Sequence, residues 1–244
     1  MLIRKAIPLA AALACGFLSA GPSMANGDGP LHRLQTEWWQ WAGSFPLGTH
    51  PLLDETGDLC ALGQHGDWWY LASNFGGETT RSCTVPRGVK LLIPLVVAFC
   101  YPEEGFDTEQ SCMQFVADVL DAYRPEDLVV KLDGVKQEVR DVCDIVAAPG
   151  DKVPPLARSC VVHRRADRTL FNFAIQPDTI YASEPGIWRA NSARGAWAVI
   201  DTRELAPGKH RIRIHAMGQP GALIPFMNVV YHLTVAGPVN KQPL

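Results

Sequence analysis

The segment DETGDLCALGQHGDWWYLASNFGG, Asp54 to Gly77, brings aspartates, a histidine, a cysteine and paired tryptophans into one short stretch. His65 and Asp67 are the first pair to weigh as a catalytic couple, because a carboxylate two residues along can orient an imidazole and hold one tautomer. Asp54, Glu55, Asp58 and Asp67 offer carboxylates for a hydrolase of the two-carboxylate kind, a chemistry defined by a separation that sequence does not contain. A triad built on His65 and Asp67 lacks a nucleophile: no serine sits in an elbow motif, and the cysteines have another use. Trp68 and Trp69 point to a different chemistry. On a strand their side chains leave opposite faces, so one can enter the core while the other lies beside Gln64, His65 and Asp67. Such a ring, rimmed by polar groups, suits stacking on a sugar or another apolar-faced ligand, and Trp68, next to the Gly66 turn, is expected to be the more exposed. The ligand-binding candidates are therefore Gln64, His65, Asp67, Trp68 and Trp69.

Other readings of the same stretch fail on spacing. Its glycines lack the Lys-Ser/Thr of a phosphate loop and the strand-to-helix context of a dinucleotide fold. Asp54 and Asp58 resemble half a calcium loop without the alternating ligands or terminal glutamate, so Asp54 reads as an Asx turn or cap. No metal site and no cofactor are expected.

The start of the chain sets the compartment. Arg4 and Lys5, the apolar run Ala6 to Ala20, and Ser23-Met24-Ala25 form a secretory signal with cleavage after Ala25. The run is shorter than the roughly 20 residues of a spanning helix. An alternative cut before Cys15, within Ala12-Leu13-Ala14-Cys15-Gly16, would make a lipoprotein anchored at Cys15. Export agrees with the remaining cysteines, Cys60, Cys83, Cys100, Cys112, Cys143 and Cys160, an even set that reads as disulfides. The turns between sequence neighbours favour Cys60 with Cys83, Cys100 with Cys112, and Cys143 with Cys160. Zinc is disfavoured, since no C-x-x-C pair or finger spacing occurs.

Without Arg4 and Lys5, 20 basic side chains stand against 25 acidic ones, a net charge of −5. Basic residues cluster at Arg158 to Arg168 and at Lys209, Arg211 and Arg213, but no aromatic platform accompanies them, so nucleic acid is not an expected partner.

The elements that must position these groups follow from periodicity. Leu31, Leu34, Trp38 and Trp41 recur at helical spacing, predicting a helix over Leu31 to Trp41 with Trp39 off the buried stripe and nearer the surface. Asp107 and Gln110 form a capping-box pattern ahead of a second helix whose apolar face is Phe115, Val116, Val119, Leu120 and Tyr123. Strands are predicted at Asp67 to Ala72, Ser82 to Val85 and Val89 to Phe99, where Pro94 argues for an edge or a bend. The Asp133-Gly134 dipeptide predicts a hairpin between Leu128–Leu132 and Val135–Val139. Further strands are expected at Thr169 to Ile175, Ala196 to Asp201, His210 to Ala216 and Asn228 to Val235. The expected fold is mainly β: one disulfide-stabilised domain over 26–244, an antiparallel β-sandwich of jelly-roll or immunoglobulin-like type with one or two short peripheral helices.

Trp38-x-x-Trp41, Asp54-x-Thr56-Gly57-x-x-Cys60-x-x-Gly63-Gln64-x-Gly66, Arg81-x-Cys83-x-Val85-Pro86-x-Gly88 and Leu205-Ala206-Pro207-Gly208-x-His210 together resemble a group of exported bacterial proteins of unassigned function. The resemblance implies export, periplasmic or secreted, and a shared fold; it implies no activity. The expected function is a non-enzymatic exported module that binds a glycan, a cell-envelope component or a protein partner, with a hydrolase using Asp54, Asp58, Asp67 and His65 as the alternative.

Overall fold

The computed structural model describes residues 30–101, 106, 108–140, 159–164, 171–181, 184–190 and 192–237. The signal segment, Cys15 and Cys143 lie outside the described residues, as does the side chain of Cys160, so the third expected bridge is not among the disulfides below.

The first helix, α1 (Pro30–Gly43), forms where the tryptophan spacing predicts. Three strands follow: β1 (Trp68–Tyr70), β2 (Gly77–Val85) and β3 (Lys90–Cys100). Then come α2 (Glu109–Asp121), β4 (Leu128–Leu132), β5 (Val135–Lys136), β6 (Val139–Arg140) and β7 (Ser159–Arg164). The rest is β8 (Phe171–Ile175), β9 (Gly186–Ala190), β10 (Ser192–Asp201), β11 (Gly208–Met217) and β12 (Phe226–Val235).

Two five-stranded sheets, ordered β1-β3-β10-β7-β6 and β2-β12-β11-β4-β5, and the β8-β9 pair make up the β structure. The protein is mainly β, but the expectation of antiparallel sheets needs correction. β1 runs parallel to β3, β2 parallel to β12 and β6 parallel to β7. The reason lies in the connections: β2 meets β12, the last described strand, instead of a sequence neighbour, so no hairpin dictates its direction. Where a hairpin signal exists, pairing follows it. Asp133 and Gly134 hold φ of 49° and 84°, the left-handed pair that a two-residue turn needs, and β4 pairs antiparallel with β5.

The two sheets share one core. Leu91, Ile93, Ala198 and Ile200 of the first meet Val130, Ile212, Ile214, Val229 and Leu233 of the second in a single buried cluster. The opposite face of the first sheet, with Leu92, Trp197 and Val199, packs on α1 and on Phe171, Phe173 and Ile175 of β8. Trp39 belongs to this second core at 7% exposure, which corrects its expected surface position. Its ring lies 4.2 Å from that of Phe99, so the apolar face of α1 is wider than one stripe.

Pro94 behaves as its missing N–H requires. β1 accompanies β3 only from Lys90 to Leu92, so Pro94 sits where β3 has β10 as its single neighbour, and the register with β10 shifts beside it. The α2 cap is one residue later than predicted. Thr108 Oγ1 accepts the Ser111 N–H and Ser111 Oγ lies 3.2 Å from the Thr108 N–H, a reciprocal box with serine in place of glutamine. Disulfides join Cys60 to Cys83 and Cys100 to Cys112, the latter fastening β3 to α2.

Candidate functional site

The Asp54–Gly77 segment is built by internal hydrogen bonds. Asp54 accepts the N–H groups of Thr56, Gly57 and Leu59 and the Thr56 hydroxyl, at 2.8–3.0 Å. Partial burial opposes its charge, but these donors outweigh it and hold the carboxyl below its usual range. Asp54 is thus the Asx cap of the loop. Gly57, at φ 94°, brings the loop against β2, where a Cβ would stand 2.2 Å from the Ser82 carbonyl. The Ser82 N–H donates to Thr56, so the loop also covers part of the β2 edge.

Gln64 is occupied on both ends. Its Oε1 accepts the Tyr70 N–H at 2.8 Å, and its Nε2 donates to the carbonyls of Tyr70 and Cys60 at 2.8 and 3.1 Å. His65 pairs with Trp68 across a tight bridge, and its Nδ1 donates to the Gly63 carbonyl at 3.1 Å. No hydrogen bond or ion pair joins His65 to Asp67 among the described residues. Asp67 is exposed, its carbonyl accepting the Lys90 N–H at 2.8 Å. The alternation expected of the tryptophans does occur: Trp68 packs on the α1 core and Trp69 on the core between the sheets. Both rings are half-buried, so neither stands as an exposed platform. Lys90 Nζ lies 5.4 Å from the Trp68 ring centroid, a cation on part of what remains open.

Beneath the loop lies Arg81, which the sequence shows in the Arg81-x-Cys83 pattern without a role. Arg81 is 2% exposed on β2. It donates to the carbonyls of Leu52, Asp54, Ala72 and Ser73 and to the Tyr231 hydroxyl. Tyr231 donates onward to the Ala72 carbonyl at 2.6 Å. One guanidinium therefore ties two loops to strands β2 and β12, its charge spread over neutral acceptors. The RxC spacing that places Arg81 and Cys83 on the same inward face of β2 was the available signal.

A different region is open. Beyond Leu92 the free side of β3 borders a cleft of about 280 Å³, lined by Val96, Ala98, Val97 and Phe99 together with Trp38 and Trp39 of α1. Among the described residues no strand continues β1, and side chains from both faces of β3 reach this space. Phe115 and Val119 of α2, with Tyr123 just after it, line it on another side, and Ser73–Phe75, Leu223 with Ile224, and Ile180 with Tyr181 contribute from three loops. Among the described residues, none that lines it is charged. Its polar members are largely committed: Asn74 bonds Thr79 and the Gly76 N–H, and Tyr123 donates to the Ile224 carbonyl. Trp39 Nε1, by contrast, is a buried donor without a partner. Phe75 and Leu223 mark the rim at 57% and 70% exposure. These two exposed apolar side chains therefore extend the apolar lining of the hollow outward to the surface.

Among the described residues no group of three or more His, Cys, Asp or Glu is placed to hold a metal, and no helix is long and apolar enough to cross a membrane.

No protein-family model matches the chain, and no curated protein matches it. Among solved structures, a chain from the structure of PbICP-C in complex with falcipain-2 aligns at 14% identity over 70% of this chain and 99% of that one, with a TM-score of 0.25. A likeness at that level carries no argument about fold or function.

Proposed function

We propose that this chain is an exported binding module that takes an uncharged apolar chain of a cell-envelope component into the cleft beside β3. The observation that carries the reading is the rim: Phe75 and Leu223 are exposed where an uncharged, aromatic-lined space of about 280 Å³ opens between them and the cores. An apolar chain seated there removes both rim residues from water, which stabilises by roughly 25 cal/mol per Å² of apolar surface covered. The free edge of β3 adds backbone groups able to hold an ester or amide where the chain joins its head. Export is supported by the two disulfides and by the signal read at the N-terminus. We also read the paired five-stranded sheets as a sandwich that keeps α1 and α2 on its outside.

The glycan platform at Gln64, His65, Asp67, Trp68 and Trp69 draws less support, since the Gln64 amide is spent on the backbone and both rings are half-buried. The hydrolase of Asp54, Asp58, Asp67 and His65 draws less again, with Asp54 acting as a cap. Organic extraction of the protein purified from its host envelope, followed by mass spectrometry, tests the proposal. An apolar-chain molecule should leave with the wild type and be missing from Val119→Trp, which fills the cleft. Equal recovery from both proteins would overturn it.

A further inference from the structure

The outer face of the second sheet carries a row of cations that neither the core nor the cleft uses. Lys131 of β4 stands opposite Lys136 of β5 and opposite Arg213 of β11. With strands about 4.8 Å apart, three positive charges cross three neighbouring strands within about 10 Å. Arg211 and Lys209 continue outward-facing along β11, both exposed. Like charges placed directly opposite destabilise a sheet, so the row is a cost the fold carries without compensation from within. Arg213 finds only the Asn228 amide, at 2.8 Å. Carboxylates at the margins of the face are engaged elsewhere: Asp133 with the His210 ring and the Arg211 N–H, Glu78 with Asn228, and Asp127, which acts on His215, with Arg124 and Gln219. Lys131, Lys136, Arg213, Val129 and His215 surround a shallow hollow of about 350 Å³ between them.

We propose that this face docks on a bilayer surface bearing anionic phosphate headgroups. A planar partner fits better than a single phosphate ion, because the cations spread along a sheet instead of converging, and no backbone nest or helix terminus joins them. The chain is otherwise acidic, with 25 acidic side chains against 22 basic, so an anionic surface would orient it with this face inward. Apolar contacts complete the footprint. Met217, two residues beyond His215 on the same face of β11, is 43% exposed, and Leu223 follows in the connection to β12 at 70%. The face therefore ends beside the rim of the cleft, although its docking rests on charge and stands independently of what the cleft holds.

Cosedimentation of the mature protein with phosphatidylcholine vesicles, with and without one-third phosphatidylglycerol, tests this. Wild-type protein should bind the anionic vesicles, lose binding as salt rises, and ignore the neutral ones. Replacing the row together, Lys131→Gln, Lys136→Gln and Arg213→Gln, should weaken binding by about 100-fold, from roughly 1 kcal/mol per cation near an anionic surface. Its thermal midpoint should not fall, since three like charges are removed from one row. If the triple variant does not fold, Lys209→Gln with Arg211→Gln and the wild-type salt titration decide instead. Equal binding to neutral vesicles, undiminished binding by folded variants, or binding to soluble polyphosphate without any to vesicles would each overturn the proposal.

Discussion

The Gln64–Trp69 loop and the β3 cleft both border the α1 core and differ in residue types and in open space. The loop and the turn before it have the residue types of chemistry, but several of them bond their own backbone: Gln64 to Tyr70, His65 to Gly63, Asp54 to the N–H groups of Thr56, Gly57 and Leu59. The cleft has almost no such residue types, yet it has space, an apolar lining and two exposed rim side chains. Side chains able to hydrogen-bond are the ones a long irregular loop needs for its own backbone. Apolar side chains left without partners have no such internal use.

The sharpest way to break this contrast is at Arg81. If the loop is scaffold, Arg81→Met should cost about 4 kcal/mol in urea denaturation, because four carbonyls and the Tyr231 hydroxyl lose a buried charged donor. A cost under about 1 kcal/mol would mean the loop holds itself. Removing the Cys60–Cys83 bridge with serines should cost about 3 kcal/mol, the closure entropy of a 23-residue separation, while ligand binding at the cleft persists in the folded fraction.

His50 sharpens the contrast through pH. It is 1% exposed, and burial lowers its pKa from 6.5 to about 4, the Ala42 carbonyl offsetting only part of the effect. The Leu52 N–H donates to its Nδ1, so the folded ring is neutral with the proton on Nε2. Between those two pH values the unfolded chain binds a proton that the folded one does not, so stability must fall as pH falls through that window. The loss should reach about 3 kcal/mol near pH 4, and His50→Gln should flatten that part of the stability–pH curve. At the small end, His65→Ala and Asp67→Asn should each change stability by less than about 0.5 kcal/mol, as exposed positions do. A larger effect on any measured turnover would revive a catalytic reading of the pair.

What could be read from residues alone divides along the same line. Local signals were legible: the α1 tryptophan spacing, the Asp133-Gly134 hairpin, Pro94 at a strand edge, Asp54 as a cap, and the pairing of near cysteine neighbours. Each depends on contacts close in sequence. The mixed direction of the sheets was not legible, because β2 pairs with β12 more than a hundred residues later and no turn records the choice. Nor was the cleft, whose walls come from α1, β3, α2, β11, β12 and the loops between elements far apart in sequence, so no local pattern marks it. Trp39 was misplaced because helical periodicity assumes one buried face, whereas α1 meets both the sheet and the β8–β9 pair.

The most direct test of the proposed site is a fluorescence titration with phenylnaphthylamine, a neutral apolar probe, on three proteins compared side by side. The account predicts saturable binding to the wild type, the same Kd for Trp68→Ala, and no binding to a folded Val119→Trp. Binding that survives Val119→Trp and is lost in Trp68→Ala would contradict it, and would return the site to the loop.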